Sequence, residues 1–426
     1  MSRAPLSALR AAIGPGLLMA GAAVGVSHLV QSTRAGAEYG LLLVPVVLLA
    51  CLFKYPFLEF GPRYAAATGE DLLVGFRRIG AWALAIFGLV TVGTMFIVLA
   101  VVTLVTAGLA GLVLGLDLPV ADISAGILAA CLLLLAIGHY RGLDLVMKML
   151  MAALAISTLA AVLLVLRGQP DWSGISGLVE APRLLTAGGI AFLLALVGWM
   201  PIPIEVAAWH SLWTRERAQQ TGQAPSVRDA ILDFRVGFLG ATALACAFVL
   251  LGATLMYASG LRFADSAVGF SAQLVDLYAR NLGEWSRPLI AVAALSTMFS
   301  TTLAVADAYP RVLSALYRLA RQGLNAPAVA GRTDRRAYLA ALLVVSAGAL
   351  LILQHAGAAF TRLIDFATTL SFVSAPLLAW ITLRAVTGPD MPLESRPGPG
   401  LLALARVSLA FGVGFSAAWL LWLLLG

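Results

Sequence analysis

Apolar runs of about 20 residues recur along almost the whole chain with short polar stretches between them, and each is long enough to cross a bilayer as a helix. Eleven such runs fall at about 12–31, 41–61, 81–112, 120–138, 143–166, 186–210, 232–257, 286–310, 337–354, 360–384 and 403–425. The stretches between them are too short for a separate soluble domain. The pattern predicts an all-α polytopic membrane protein whose residues 1–426 form one transmembrane domain.

Two runs carry residues that a plain membrane helix avoids. The first contains Gly14-Pro15-Gly16 and then Gly25-Val26-Ser27-His28; the sixth contains Gly198-Trp199-Met200-Pro201-Ile202-Pro203-Ile204-Glu205. A Gly/Pro break within a span frees backbone amides and carbonyls, which lipid tolerates only where they line a cavity or are buried in protein. Paired breaks at corresponding places in two halves point to the binding site of a secondary transporter. The first ten spans divide as five plus five, with a break in spans one and six. An odd number per repeat inverts the second half relative to the first. The expected division is repeat one at about 12–166, repeat two at about 186–384, and an accessory helix at about 403–425.

Composition agrees with this pattern. Of the 426 residues, 61% are hydrophobic and 12% charged, with a mean hydropathy of +0.95, whereas soluble domains carry about 25% charged residues. The net charge of +7 reflects Lys and Arg in the short loops and reads as membrane orientation, which sets nucleic acid aside as a partner. With the N-terminus inside, the cytoplasmic segments hold 18 Lys/Arg and the external ones 7, while Lys54, Lys148 and Arg406 fall within spans. The densest inner cluster is Arg311, Arg318, Arg321, Arg332, Arg335 and Arg336. The bias predicts a multi-pass protein of the cytoplasmic membrane, N-terminus cytoplasmic and C-terminus external. The stretch after Met1-Ser2-Arg3 looks loosely like a signal peptide but leads into many spans, so it reads as the first helix. Cys51, Cys131 and Cys246 sit in apolar runs and read as small core residues.

Ionisable residues inside spans are expensive and usually functional. His28 lies in the first break; a neutral imidazole suits Mn, Fe, Co, Ni or Zn, and it titrates near neutral pH, so it can carry a proton. Its structural alternative is a hydrogen bond to a freed carbonyl. Glu205, in the second break, can neutralise a cation or carry a proton; its structural alternative is an ion pair, for instance with Lys54. Met200 offers a soft thioether ligand or simple core filling. Freed carbonyls near Gly25 and Val197 would complete the shell. Lys54 and Lys148 lie near inner span ends, where snorkelling explains them, but a fixed ammonium at Lys54 could repel cations or replace a coupling ion. Asp307 and Asp365 are further coupling or gating candidates. Asp307 follows a stripe of Ser296, Thr297, Ser300 and Thr301, and Asp365 has Arg362 nearby as an ion-pair partner. The chain shows no Walker-type loop and no Ser/His/Asp or Cys/His set in a plausible context. It is expected to be neither an enzyme nor a holder of a cofactor.

Several of these motifs resemble one family. Gly14-Pro15-Gly16 followed by a break and Ala35-Gly36-Ala37-Glu38-Tyr39-Gly40 is similar to the first span of the Nramp proton-coupled divalent-metal transporters. Ala67-Thr68-Gly69-Glu70-Asp71-Leu72, Met200-Pro201 and His210-Ser211 add to the likeness. The resemblance implies the fold of amino-acid and sodium-coupled symporters, in which a bundle of spans 1, 2, 6 and 7 moves against a scaffold of 3, 4, 8 and 9. It also implies an ion site lined by hydroxyls of span 8. Where the family places Asp-Pro-Gly-Asn, this chain has Gly25, Val26, Ser27 and His28, so both acidic and amide ligands are missing. Where the family has Met-Pro-His-Asn, alignment on Met-Pro gives Met200 to Pro203, and alignment on His210-Ser211 puts Glu205 at the family's His. The resemblance thus points to a divergent secondary transporter moving a divalent cation of the Mn, Fe or Mg class by alternating access. The metal ligands would be His28, Met200 and Glu205, and the substrate site would add Gly25, Ser27 and Val197. The alternative on the same fold is a proton-coupled carrier of a small organic solute such as an amino acid. Lipid bilayer and protons complete the expected partners.

Overall fold

The computed structural model describes residues 14–137, 141–168, 170–257, 264, 266–322, 335–356 and 359–425. Arg332 and the segment holding Arg3 and Arg10 lie outside the described residues, as does the side chain of Lys148. Fifteen α-helices make up the described chain: α1 (Pro15–Ala23), α2 (Thr33–Tyr39), α3 (Val44–Thr68), α4 (Leu72–Ile79), α5 (Ala81–Leu114), α6 (Val120–Ile137), α7 (Arg141–Arg167), α8 (Ala187–Trp199), α9 (Val206–Thr221), α10 (Val227–Gly252), α11 (Ala267–Leu282), α12 (Arg287–Gln322), α13 (Arg335–Ala356), α14 (Phe360–Thr387) and α15 (Pro399–Leu425).

Each of the eleven apolar runs carries a helix. Among the described residues, eight helical stretches are long and apolar enough to cross a membrane on their own. The other three runs are the first, fifth and sixth. The first and sixth are interrupted, and in α7 most side chains before Ala152 lie outside the described residues. Several helices overrun their apolar run, because polar turns exposed to water keep the same backbone hydrogen bonds. α12, for example, continues to Gln322, well past the apolar limit near 310. Two helices were not expected as elements, α4 and α11. Both are short, and an N-cap starts each: Asp71 accepts from the Val74 amide and Ser266 from the Gly269 amide.

Gly14-Pro15-Gly16 is not a break. It starts α1, with Pro15 in the first turn where no amide partner is needed. The exposed amides of Gly14 and Gly16 donate to the Asp233 carboxylate of α10 at 3.3 and 2.6 Å. The interruption comes later, at Val24–Val26, after which the chain makes a π-helical turn over Ser27–Ser32 before α2. In the sixth span the helix stops at Trp199, and Met200–Glu205 is irregular before α9 begins; the Met200–Pro201 peptide is cis.

The packing separates into two groups joined by contacts across their boundary. α1/α2, α3, α8/α9 and α10 pack on one another, and α5, α6, α12 and α13 form the second group. α5, 34 residues long, is largely buried, as suits a helix apolar all round. α2 and α10 cross where Gly36 meets the Val249 carbonyl and Gly252 meets the Thr33 carbonyl, so closely that a Cβ at either glycine would overlap backbone. α15 packs on α14 and α3 at the edge.

Candidate functional site

The two breaks touch. Ser27 Oγ lies 3.1 Å from the Pro201 carbonyl oxygen and 2.7 Å from the Ala23 carbonyl oxygen, so one hydroxyl stands between freed backbone of both spans. Below it the Ser32 hydroxyl donates to the Ser27 carbonyl at 3.2 Å and approaches the Met200 sulfur at 4.0 Å. Ser27, His28, Ser32, Met200 and Glu205 are all buried, so the junction is closed to solvent. A Cβ at Gly25 would press on Thr301 of α12; only glycine lets the first break approach α12 this closely. The Gly25 carbonyl is taken by the His28 and Leu29 amides, and the Val197 carbonyl by the Met200 amide at 3.3 Å.

His28 turns its ring toward α10. Nε2 is 2.8 Å from the Ala241 carbonyl oxygen and Nδ1 is 2.8 Å from Ser27 Oγ. A carbonyl only accepts, so Nε2 carries a proton. In the neutral ring, Nδ1 then accepts the Ser27 proton. In the charged ring, Nδ1–H donates to Ser27 Oγ, and the hydroxyl proton turns to Ala23 or Pro201. The arrangement accommodates either state and links the charge on His28 to the carbonyls of both breaks.

Glu205 faces the opposite side. Tyr309 Oη of α12 donates to Oε1 at 2.9 Å and Thr94 Oγ1 of α5 to Oε2 at 3.2 Å. The second break is thereby fastened to the other helix group, and Glu205 is neither paired with Lys54 nor among the partners of His28. Tyr309 also packs edge-on against Trp209 of α9, ring centroids 4.9 Å apart. Neither Thr94 nor Ala241 carried a sequence signal. Tyr309 did carry one: it stands two residues after Asp307 in a span, an amphipathic side chain where a plain helix needs none.

Lys54 of α3 does not snorkel. It is buried, and its ammonium donates to the Gly198 carbonyl at 2.6 Å and the Ile202 carbonyl at 3.3 Å, the backbone that the second break sets free. Asp307 accepts from Arg311 at 2.7 Å and from Tyr338 of α13 at 2.8 Å, while Arg311 also reaches Glu216 of α9 at 3.4 Å. It is part of a latch across the ends of three helices. Of the hydroxyl stripe on α12, Thr301 donates to the Gly21 carbonyl of α1 at 2.9 Å. Asp365 of α14 pairs with Arg34 of α2 at 2.7 Å and accepts from Gln31 at 3.2 Å, while Arg34 also holds Glu38. This ties the far end of the first span to α14.

At the opposite end of the first span a cavity of about 180 Å³ opens beside Pro15, His210, Arg217 and Asp233. His210 is buried there and neither ring nitrogen has a partner among the described residues. Among the described residues no group of three or more His, Cys, Asp or Glu side chains could hold a metal ion. A cation at the junction would therefore rely on backbone and hydroxyl oxygens as well as on the few side chains there.

Comparison with known proteins follows the same lines. A relative in Pasteurella multocida (strain Pm70), described only as an uncharacterized protein, is 36% identical over 412 residues, covering 95% of this chain and 91% of that one. The divalent metal cation transporter MntH of Pediococcus pentosaceus is 26% identical over 313 residues, 69% of this chain and 67% of its own. In structure the chain is similar to a manganese transporter of Eremococcus coleocola, solved as a mutant, with a TM-score of 0.70 and 15% identity, covering 98% of this chain and 87% of that one. The fold is shared too with MhsT, solved in complex with L-phenylalanine, at a TM-score of 0.62 and 14% identity, covering 97% and 99%. The profile of natural resistance-associated macrophage protein-like (Nramp) sequences matches residues 16–423, and with that match over nearly its whole length the chain belongs to the Nramp family.

Proposed function

We propose that this protein is a secondary-active transporter that moves a divalent metal cation of the Mn, Fe or Mg class by alternating access, with a proton as the coupled ion. The observation that carries the reading is the junction itself: two helices broken in mid-span, 174 residues apart in sequence, meet at Ser27 and Pro201. The cargo follows from the family and from relatives described as metal cation and manganese transporters. In this reading Gly25, Ser27, His28, Val197, Met200 and Glu205 surround the ion, and His28, Met200 and Glu205 are its side-chain ligands. Each now has another partner, which an arriving ion would displace. One carboxylate cannot balance a stripped dication, so the ion keeps part of its water. His28 is the proposed proton carrier because its surroundings suit both protonation states. In the same reading the chain crosses the cytoplasmic membrane with its N-terminus inside and its C-terminus outside, in two inverted repeats at about 12–166 and 186–384. The activity is transport, not catalysis.

The deciding measurement is uptake of Mn²⁺ and Mg²⁺ into proteoliposomes, with a pH-sensitive dye inside. Uptake of either ion with internal acidification is expected. No uptake and no calorimetric binding of either ion defeats the reading. A second reading is favoured by Lys54, whose fixed ammonium beside the junction opposes a dication and suits an organic anion: a proton-coupled carrier of a small solute such as an amino acid. Stabilisation by amino acids and not by metal salts in a thermal-shift screen selects it.

A further inference from the structure

Lys54 is a buried ammonium whose described partners are two backbone carbonyls, Gly198 and Ile202, at 2.6 and 3.3 Å. Among the described residues no carboxylate pairs with it. What faces it instead is the end of α8. Helix carbonyls at a C-terminus lack amide partners and carry the negative end of the helix dipole. The irregular stretch Met200–Glu205 keeps α9 from supplying those partners. Carbonyl oxygens converging at an unwound helix end are the chemistry of a small-cation site. The side chain arrives from α3, a different span, and ends at the position such a cation would take. Gly198 also lies against the Thr368 carbonyl of α14, so closely that a Cβ would overlap it. The end of α8 that carries the Gly198 carbonyl is therefore packed closely against α14 as well.

We propose that the Gly198 and Ile202 carbonyls form a monovalent-cation site that the Lys54 ammonium fills as a tethered cation. The site lies beside the junction at Ser27, one residue along the chain from Val197 and Pro201, and the inference stands whether the cargo is a metal or an organic solute. It makes a chain whose second break is stable without any dissolved monovalent ion, because the ion is covalently attached.

Removing the tether should expose the site. The purified full-length protein is compared with Lys54→Ala and Lys54→Gln by thermal unfolding in detergent, in sodium chloride, methylammonium chloride or choline chloride at equal ionic strength. Lys54→Ala leaves room for a small cation with water, and it is expected to melt about 2–5 °C higher in sodium or methylammonium than in choline, saturably with concentration. Wild type should show no such difference, and neither should Lys54→Gln, whose carboxamide N–H groups supply donors without a charge. Recovery of folded Lys54→Ala only when sodium or methylammonium is present throughout purification supports the same conclusion. The proposal is overturned if Lys54→Ala melts alike in all three salts, if it responds no more than wild type, or if no cation recovers it while Lys54→Gln folds. Metal and amino-acid uptake play no part in the readout, so failure here leaves the transport reading untouched, and the reverse.

Discussion

Glu205 leaves the second break and binds the opposite helix group through two hydroxyls, Tyr309 and Thr94. That makes it both a ligand candidate and a fastener that must let go if the groups move apart. Glu205→Gln keeps an acceptor for Tyr309 and should melt close to wild type, while uptake falls by about tenfold or more if the charge is needed in the bilayer. Unchanged uptake would remove Glu205 from the site. Tyr309→Phe, in contrast, leaves a buried carboxylate oxygen without its donor, a loss of about 1–3 kcal/mol. It should lower the melting temperature and also weaken transport, as read in the same vesicles. His28 has two partners with different demands. His28→Ala removes the side-chain bond to the Ala241 carbonyl, which keeps its helical amide, and should abolish the proton-coupled component of uptake, seen as loss of internal acidification. Retained acidification would pass the proton to another group.

At the scale of elements, the first span is held by contacts that ordinary side chains cannot make. Gly36 and Gly252 let α2 and α10 touch backbone to backbone. Gly252→Ala forces the helices apart in a packed core and should cost about 1–3 kcal/mol, checked by thermal unfolding against the exposed control Gly240→Ala, which has open space around its Cβ. The start of α1 is held by Asp233, which accepts from the Gly14 and Gly16 amides. The Ala67–Leu72 motif is likewise a structural corner. Gly69 ends α3 in the left-handed conformation, and Asp71 caps α4 while pairing with Arg215 at 2.7 Å. These contacts lie apart from the junction at Ser27.

Across the whole molecule, the polar fastenings cluster at the two ends of the first span. Arg34 and Asp365 close one end; the cavity beside His210 opens at the other. If the N-terminus lies inside, the arrangement is closed outward and partly open inward. Orientation is directly measurable: a tag at the C-terminus should be reached by an impermeant reagent on intact cells, and a tag at the N-terminus only after permeabilisation. The opposite labelling would reverse the direction assigned to the cavity. Asp365→Ala removes the one partner of Arg34 that lies on α14, leaving Glu38, and should raise hydrogen exchange in α2 without altering α5, as expected of a latch at one end.

The apolar runs alone determine that this is a helical membrane protein, because in lipid every backbone group must be satisfied within its own segment or a closed barrel. The same logic locates both breaks to within a few residues, since proline and glycine there deprive a helix of partners it cannot do without. It misplaces Gly14-Pro15-Gly16, because the residues that interrupt a helix are also those that begin one. The partners of each polar group were decided elsewhere. Lys54 could equally have reached lipid headgroups, Glu205 or a carbonyl, and its sequence neighbours are silent on the choice. Only the packing of α3 against the end of α8 brings it to Gly198 and Ile202, and only the positions of α5, α10 and α12 turn Glu205 and His28 to opposite sides of one junction. Hydropathy is a property of each segment by itself; the choice of hydrogen-bond partner depends on which segments end up side by side.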